Sequence, residues 1–379
     1  MRISKLKTER RRVDNLNRLL GYLSFGEAND YPNRVDKILN ASSLGLGCYE
    51  LSNRFVFGDG IEDEALAQFI VNKNGDTAND IVSDVVKDVN EYGGFCLHFN
   101  VNGLAEIVET THVPFEFCRI GIDLSDANLL KPDNTILIHP NWINEQGKPK
   151  FEQRNVLRIP LWDSDQKERR KVENYIETGF VLWVSVTNKL SYPLAPFDSV
   201  LADMATDQAI STVLHRNAKH NFMPAGMLVR KGRRVDIEEE GAQPDTFNQD
   251  LMSWQGAESS AKIIAVDVDF DEDKPEFISF PVNNFDRQFD STQKYIEQKI
   301  GMAFNQPPIL RGVDVGAGFG ADLIANAYIY YNSICEPTRK FIERKLKPIF
   351  TEIVPNLTNF NLKPLVYETT SQQNTLSES

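Results

Sequence analysis

The sequence predicts an α+β protein in which a mixed first domain is followed by several long helices. Segments that alternate between apolar and polar residues fill much of the first 195 residues, together with segments of helical periodicity. Three long stretches of helical periodicity come later, and a short strand-rich segment separates the first two. A chain of 379 residues is long enough for two or three domains, each with its own apolar core.

The first domain begins with a basic run, residues 1–12, of the kind that forms a solvated face or a frayed arm. Helical periodicity is predicted over residues 55–71 and again over residues 79–94, where a pair of glycines ends the second helix. The apolar face of this second helix consists of Ile81, Val82, Val85, Val86 and Val89.

Strands are predicted after these helices. Residues 95–121 alternate in polarity and contain the dipeptide Asn102-Gly103, which is frequent in hairpin turns. Because hairpins join antiparallel neighbours, the sheet of this domain is expected to be largely antiparallel. Three further strands are predicted, at residues 135–142, 155–162 and 180–186.

Two long helices are predicted next. The first begins near Asp198, a candidate N-cap, and its roughly 22 residues would span about 33 Å. Its apolar positions are Leu201, Met204, Ala205, Val213 and Leu214. The second covers residues 285–304, with Phe285, Phe289, Ile296, Ile300 and Phe304 along one stripe. Between the helices lie predicted strands at 225–229 and 262–268, with charged loops around them.

A glycine-rich stretch, 313-VDVGAGFGA-321, precedes the third long helix. Gly316, Gly318 and Ala321 have the spacing of a dinucleotide-binding turn, which makes a nucleotide-dependent oxidoreductase an alternative function. Such a turn needs a strand before it and a short helix after it, whereas here two prolines precede it and a helix of about 32 residues follows. The glycines are better interpreted as a loop with wide backbone freedom.

The third long helix is predicted from about Asp322 to Ile353. Pro337 lies in its middle, where it removes a hydrogen bond and clashes with the preceding turn, so a kink is expected there. The predicted apolar stripe consists of Ile324, Tyr328, Tyr331, Ile334, Phe341, Leu346 and Ile349.

No catalytic or metal-binding constellation is present in the sequence. It contains no P-loop, no G-x-S-x-G and no H-E-x-x-H motif, and the acidic run 267-DVDFDED-273 lacks the glycine and glutamate of a calcium loop. The four cysteines lie far apart and are expected to be buried free thiols in a reducing compartment. We therefore expect neither enzyme activity nor a cofactor or metal.

Charge and hydropathy exclude two further classes. The net charge of −13 argues against affinity for nucleic acid through a general basic surface, because such affinity grows with the number of phosphates neutralised. No stretch of eighteen apolar residues and no apolar signal segment occur, so no membrane association is expected.

The order of these elements resembles that of tailed-bacteriophage portal proteins, the head-to-tail connectors of long-tailed phages. The residues that carry the resemblance cover roughly positions 40–353, although the chain is short for a portal and leaves little room for a crown. They are 91-EYGGFCLHFNVNGLAEIV-108, 217-NAKHNFMPAGMLV-229, 301-GMAFNQPPILRG-312 and 336-EPTRKFIERKLKPIF-350.

The resemblance implies a homo-oligomeric ring, usually of twelve subunits, at one capsid vertex. Double-stranded DNA would be packaged through its channel by the terminase large subunit and later ejected by the same route, with the major capsid protein and head-tail connector proteins as further partners. The implied location is the virion, and the host cytoplasm during assembly. The implied regions are a wing (1–196), a first stem helix (197–220), a clip (221–284), a second stem helix (285–304), a turn and tunnel loop (305–321), a kinked long helix (322–353) and a short tail (354–379).

The resemblance also implies where the functional residues lie. Pro337 would be the helix kink, and the stem stripes, including Val213 and Ile296, would be buried partly against neighbouring subunits. The tunnel loop facing the channel would comprise Val313, Asp314, Val315, Gly316, Gly318, Phe319 and Gly320. The stem wall would present Arg287, Lys294 and Lys299, and the clip would dock terminase or connector through Arg230, Lys231, Arg233, Arg234, Glu238, Glu239 and Glu240. A non-portal helical scaffold that binds a protein partner through its helix stripes is the remaining alternative.

Overall fold

The chain divides into two compact units in a computed structural model. The first comprises Met1–Met204 and Lys299–Ser379, and the second comprises Ala205–Gln298. The structure describes residues 14–125, 131–143, 155–187, 191–220, 224–231, 262–268, 276–279, 285–313, 321–354, 357 and 359–367. The basic run at residues 1–12 lies outside these ranges.

The described helices and strands follow the predicted order. The α-helices are α1 (Tyr31–Ala41), α2 (Ser43–Phe57), α3 (Glu64–Ala67), α4 (Ala78–Tyr92), α5 (Gln166–Arg169), α6 (Tyr175–Thr178), α7 (Leu201–His220), α8 (Phe285–Ala303) and α9 (Ala321–Ile353). The strands are β1 (Leu16–Asn17), β2 (Tyr22–Leu23), β3 (Gly94–Val101), β4 (Ile107–Val113), β5 (Cys118–Asp123), β6 (Lys131–Ile138), β7 (Leu157–Pro160), β8 (Phe180–Ser185), β9 (Pro224–Lys231), β10 (Lys262–Val268) and β11 (Glu276–Ser279).

The first unit contains two sheets, with strand orders β1-β2-β5-β6-β7 and β4-β3-β8. Every pair of neighbours in these two sheets is antiparallel, which confirms the predicted mixed domain with antiparallel pairing. The predicted hairpin is present as β3 and β4. Its turn is longer than two residues, and Ala105 has a left-handed backbone with a φ of 59°.

Helix α4 has the ends and the buried face that its sequence predicts. Thr77 and Asp80 form a reciprocal capping box at its start, and Gly93, in the left-handed conformation with a φ of 77°, ends it. All five residues of the predicted stripe are buried.

The prediction of one helix over residues 55–71 is wrong. Helix α2 begins earlier, at Ser43, and ends at Phe57, and only the short α3 follows. Gly58 terminates α2 with a φ of 66°, and a Cβ at this position would collide with the carbonyl oxygen of Lys363. The apolar residues on both sides of this break belong to one core, which explains why their spacing appears continuous.

The core of the first unit lies between α2, α4, α9 and the β4-β3-β8 sheet. Helix α9 buries Tyr331, Leu346 and Ile349 of the predicted stripe, and Tyr328 and Phe341 pack against the same core. Ile334 is exposed, whereas Ala327, Cys335 and Ile342, which were not predicted, are buried beside the stripe. The rings of Tyr331 in α9 and Phe55 in α2 lie 4.8 Å apart between centroids.

The start of α7 also differs from prediction. Asp198 lies in a 3-10 helix, Asp198–Val200, that leads into α7, and its Oδ1 accepts a hydrogen bond from the Tyr31 hydroxyl at 2.8 Å. The carboxylate therefore fixes the chain entering α7 to α1.

The second unit contains a three-stranded sheet with the order β10-β9-β11. Strand β10 is parallel to β9 and β11 is antiparallel to it. Strands β9 and β10 confirm the two predicted strands of this region, and β11 was not predicted. Among the described residues, no helix is long and apolar enough to cross a membrane.

Candidate functional site

The sequence-predicted site residues fall in four regions, which the structure describes to different extents. Of the glycine loop, Val313 is described, and Asp314, Val315, Gly316, Gly318, Phe319 and Gly320 lie outside the described residues. Arg230 and Lys231 lie at the end of β9, and Arg287 lies in α8. For these three residues the structure describes the backbone and not the side chain. Arg233, Arg234, Glu238, Glu239 and Glu240 lie outside the described residues.

Two basic residues of the proposed stem wall have described side chains. Lys294 is exposed on α8. Lys299 is half-exposed, and its Nζ donates to both carboxylate oxygens of Asp203, at 2.9 and 3.0 Å. The charge of Lys299 is therefore compensated within the chain, and the pair links the start of α7 to the end of α8.

The turn after α8 is fixed by one buried amide. Gln306 Nε2 donates to the carbonyl of Cys48 in α2 at 2.6 Å and to the hydroxyl of Tyr331 in α9 at 3.0 Å. The neighbouring Phe304 stacks on Phe197 with 5.4 Å between ring centroids. The segment that leads into the glycine loop is therefore held against two helices at once.

A 3-10 helix, Pro308–Arg311, completes this turn and ends at Gly312. The described residues 304–313 contain no strand, and the helix after the glycine loop has 33 residues. A dinucleotide-binding turn joins a strand directly to a short helix, so the surroundings of Gly316 and Gly318 lack the elements that this alternative needs.

The middle of α9 is anchored by Arg339, two residues after Pro337. Its Nη2 donates to the carbonyl of Phe55 at 2.6 Å and to Asn332 Oδ1 at 3.1 Å, and its Nε donates to the carbonyl of Val56 at 3.3 Å. These carbonyls belong to the last turn of α2, where the helix dipole favours a cation. Burial lowers the pKa of Arg339 from its ordinary value.

Pro337 lies within α9, as the sequence predicts, and Pro348 is a second proline in the same helix. Pro337 has no N–H to donate to the carbonyl of Ser333, and the kink that this would cause stays a prediction. Beside Pro337 is a groove of about 480 Å³ between α2, α4, α9 and the turn after α8. Apolar side chains dominate its walls, including Val56, Val89, Phe304, Ile334 and Phe341.

A second cavity, of about 200 Å³, is lined by acidic side chains from α1, α4 and the segment after β4. Asp88 is buried there and accepts from Phe115 N at 3.1 Å, and its Oδ2 lies 2.7 Å from His112 Nε2. Burial is the main cause that raises the pKa of Glu91 to about 7, and the charges of Asp36 and Asp88 act in the same direction. The cluster was not predicted, because Asp36, His112 and Glu116 lie far in sequence from the acidic residues of α4.

The described side chains offer no assembled metal site. Within the described ranges, no three His, Cys, Asp or Glu residues are grouped so that they could hold an ion. All four cysteines are buried free thiols, as the sequence predicts.

Comparison with solved structures identifies the fold. A chain in the neck of a native gene transfer agent particle, computed with C12 symmetry, is similar with a TM-score of 0.52 and 13% identity over 92% of this chain and 87% of that one. A chain in the neck of an empty particle, computed with C6 symmetry, gives a TM-score of 0.50 and 12% identity over the same shares. An HK97 family phage portal protein from Corynebacterium diphtheriae gives 0.43 and 13% over 86% and 95%. No family model and no curated protein match the sequence. The chain therefore shares its fold with the neck chains.

Proposed function

We propose that this chain is a portal protein, the subunit of a ring that forms the DNA channel at one capsid vertex. The observation that carries the proposal is the likeness over 92% of the chain to a chain in a particle neck computed with C12 symmetry. The element order supports it, since two long helices bracket a small strand-rich segment and a turn with two prolines leads into a glycine loop and a long helix.

The proposed ring consists of twelve copies of this chain. Terminase drives double-stranded DNA through it during packaging, and the DNA leaves by the same channel. The wing meets the major capsid protein, and the clip docks terminase and later the connector proteins. The chain acts in the virion, after assembly in the host cytoplasm, and performs no catalytic step itself.

The charge of the chain supports the role of a conduit. DNA slides past a surface more easily when few phosphates are neutralised, because each neutralised phosphate adds affinity. The chain carries a net charge of −13, and Lys299 is already paired with Asp203. A few exposed cations, such as Lys294, would then make the transient contacts with DNA.

The anchors around the glycine loop support its assignment as the tunnel loop. Gln306 fixes the chain before the loop, and Arg339 fixes the helix after it. Glycines between two fixed ends would let residues 314–320 move along the axis of the proposed channel while the flanking helices stay in place.

Val213 supports subunit contacts through the stem. It lies exposed on α7, together with Leu214, as an apolar residue available to a neighbour. Ile296, by contrast, is already buried within the chain, so its substitution would report on folding as well as on assembly. Val213→Asp is therefore the better assembly variant of the two.

The proposal is tested by negative-stain electron microscopy of the purified chain, together with calorimetric titration of NAD. Rings with a central hole and no heat of binding are expected. Specific NAD binding by a monodisperse monomer would instead favour the oxidoreductase alternative.

A further inference from the structure

The second half of α9 carries a basic face, which we define as Lys340, Arg344 and Lys347. All three side chains are exposed. Spacings of four and three residues place them within about 60° of one another around the helix and over about 10.5 Å along its axis. The basic face is therefore a compact row of three cations.

The charges of the basic face are largely uncompensated. Lys340 pairs with Glu336, but the pair is exposed, and exposed pairs contribute little. Among the described residues, neither Arg344 nor Lys347 takes part in an ion pair. At least two of the three cations are thus available to a partner.

The neighbouring side chains leave these charges in place. Glu343 lies about 100° around the helix from Arg344, and its Oε1 accepts from the backbone N–H of Leu362 at 2.7 Å. The ring of Phe341 lies 6.0 Å from the guanidinium of Arg344 and 5.9 Å from the Nζ of Lys345. An aromatic ring attracts a cation without neutralising its charge.

The stability of the helix does not explain the basic face. Like charges three or four residues apart repel each other and destabilise a helix. Cations stabilise the helix dipole when they lie in the last turn, and the last turn of α9 contains no basic residue. A row of like charges that opposes helix formation and lacks partners in the described chain indicates an anionic partner outside it.

We infer that the basic face of α9 binds the phosphate backbone of duplex DNA. Successive phosphates of one strand lie about 3.4 Å apart along the duplex axis, so three such steps match the length of the face. Contacts from Lys and Arg to phosphates carry no sequence information, and the binding is therefore expected to be independent of sequence.

This inference rests on the proposed function for the identity of the polymer, and it adds a contact outside the proposed channel wall. The wall was assigned to α8 and residues 313–321, whereas the basic face lies in the second half of α9. A local face also agrees with the net charge of −13. Because affinity grows with the number of phosphates neutralised, three cations provide a weak contact that DNA can leave.

The test is fluorescence anisotropy of a labelled DNA duplex titrated with the full-length protein at several salt concentrations. The double variant Arg344→Gln, Lys347→Gln removes two cations and keeps similar helix propensity. Its charge-matched control is the double variant Lys37→Gln, Lys73→Gln, since both lysines are exposed outside α9. The single variant Lys347→Gln provides an intermediate point.

We expect the α9 double variant to bind the duplex about tenfold more weakly at low salt, with unchanged thermal melting. The slope of log affinity against log salt should become smaller by about 1.8, and by about 0.9 for Lys347→Gln alone, because each phosphate contact contributes about 0.9. The control should bind as the unsubstituted chain does.

Two competitors identify the anion. Poly-glutamate that displaces the duplex as well as unlabelled DNA does, charge for charge, would assign the face to an acidic protein and overturn the inference. Duplex RNA that competes better than duplex DNA would assign it to RNA, with the same consequence. Equal loss of affinity in the control, or no binding of the duplex by the unsubstituted chain, would also overturn it.

Electron microscopy of the same preparations separates this inference from the proposed function. Rings whose α9 double variant binds the duplex with unchanged affinity overturn the inference and leave the portal proposal intact. Weaker binding in that variant, by a chain that forms no rings, supports the inference and contradicts the portal proposal.

Discussion

Arg169 and Glu352, 183 residues apart in sequence, form a buried bidentate ion pair. Arg169 Nη1 lies 2.9 Å from Glu352 Oε1, and Arg169 Nη2 lies 3.1 Å from Glu352 Oε2. Arg169 is 1% exposed and Glu352 19% exposed. The guanidinium also lies over the ring of Trp162, 5.4 Å from its centroid. The pair fixes the C-terminal end of α9 to α5.

Glu352→Gln should lower the free energy of unfolding by about 3 kcal/mol, because it leaves a buried arginine without its counter-charge. Equilibrium urea unfolding of the full-length chain measures the effect. Lys340→Ala, which removes an exposed pair with Glu336 on the same helix, is the control and should cost less than about 0.5 kcal/mol. Equal stabilities of the two variants would show that the buried pair does not hold α9.

Ile342→Ala should lower the free energy of unfolding by about 3 kcal/mol, since it opens a cavity in the core face of α9. Ile334→Ala, at an exposed position of the same helix, should cost less than about 1 kcal/mol in the monomer. Urea unfolding of both variants at low protein concentration checks the prediction. A larger loss for Ile334→Ala than for Ile342→Ala would contradict the burial of Ile342 and the exposure of Ile334.

Glu91→Gln should remove a pH dependence of stability. The pKa of Glu91 is raised to about 7 in the folded chain from an ordinary value near 4.5, so its contribution is fully present below about pH 4.5 and is lost as pH rises through about 7. The unsubstituted chain should therefore lose on the order of 3 kcal/mol relative to the variant over this window.

Urea unfolding at pH 4.5, 6 and 8 measures this difference, with Glu50→Gln at an exposed position of α2 as the charge-matched control. The other groups that face the cavity are the same in both proteins: Asp36, Tyr49, Asp84, Lys87, Asp88, Tyr92, His112 and Glu116. Parallel pH profiles for the unsubstituted chain and Glu91→Gln would contradict the assignment.

Gly318→Val should allow ring assembly and impair DNA packaging or retention. A β-branched residue restricts the conformations of the backbone, whereas the proposed tunnel loop needs the conformational freedom of glycine. Ring formation by electron microscopy and DNA content in a packaging reaction are measured on the same preparation. Failure to assemble would instead indicate a buried turn, and would remove the loop from the proposed channel.

Local patterns in the sequence predicted much of the fold. The stripe of α4, its capping box and the glycine at its end are encoded within 17 consecutive residues, Thr77–Gly93, so their outcome follows from short-range rules. The same holds for the β3–β4 hairpin. Periodicity identified α9 as a helix and found most of its buried face, but it included Ile334, which is exposed, and omitted Ala327 and Cys335, which are small yet buried.

The anchors of the candidate site could not be predicted in this way. Gln306 binds Cys48 and Tyr331, Arg339 binds carbonyls of α2, and Arg169 pairs with Glu352. These are polar contacts between residues 25 to 284 positions apart, and nothing in the spacing of a single segment indicates its distant partner. They become visible only when the helices are packed.

The most direct test of the portal proposal is a cryo-electron microscopy reconstruction of the purified full-length chain. The account predicts a rotationally symmetric ring with an open axial channel, lined by residues 285–304 and 313–321. A monodisperse monomer at all concentrations, or a ring whose channel is lined by other segments, would contradict it.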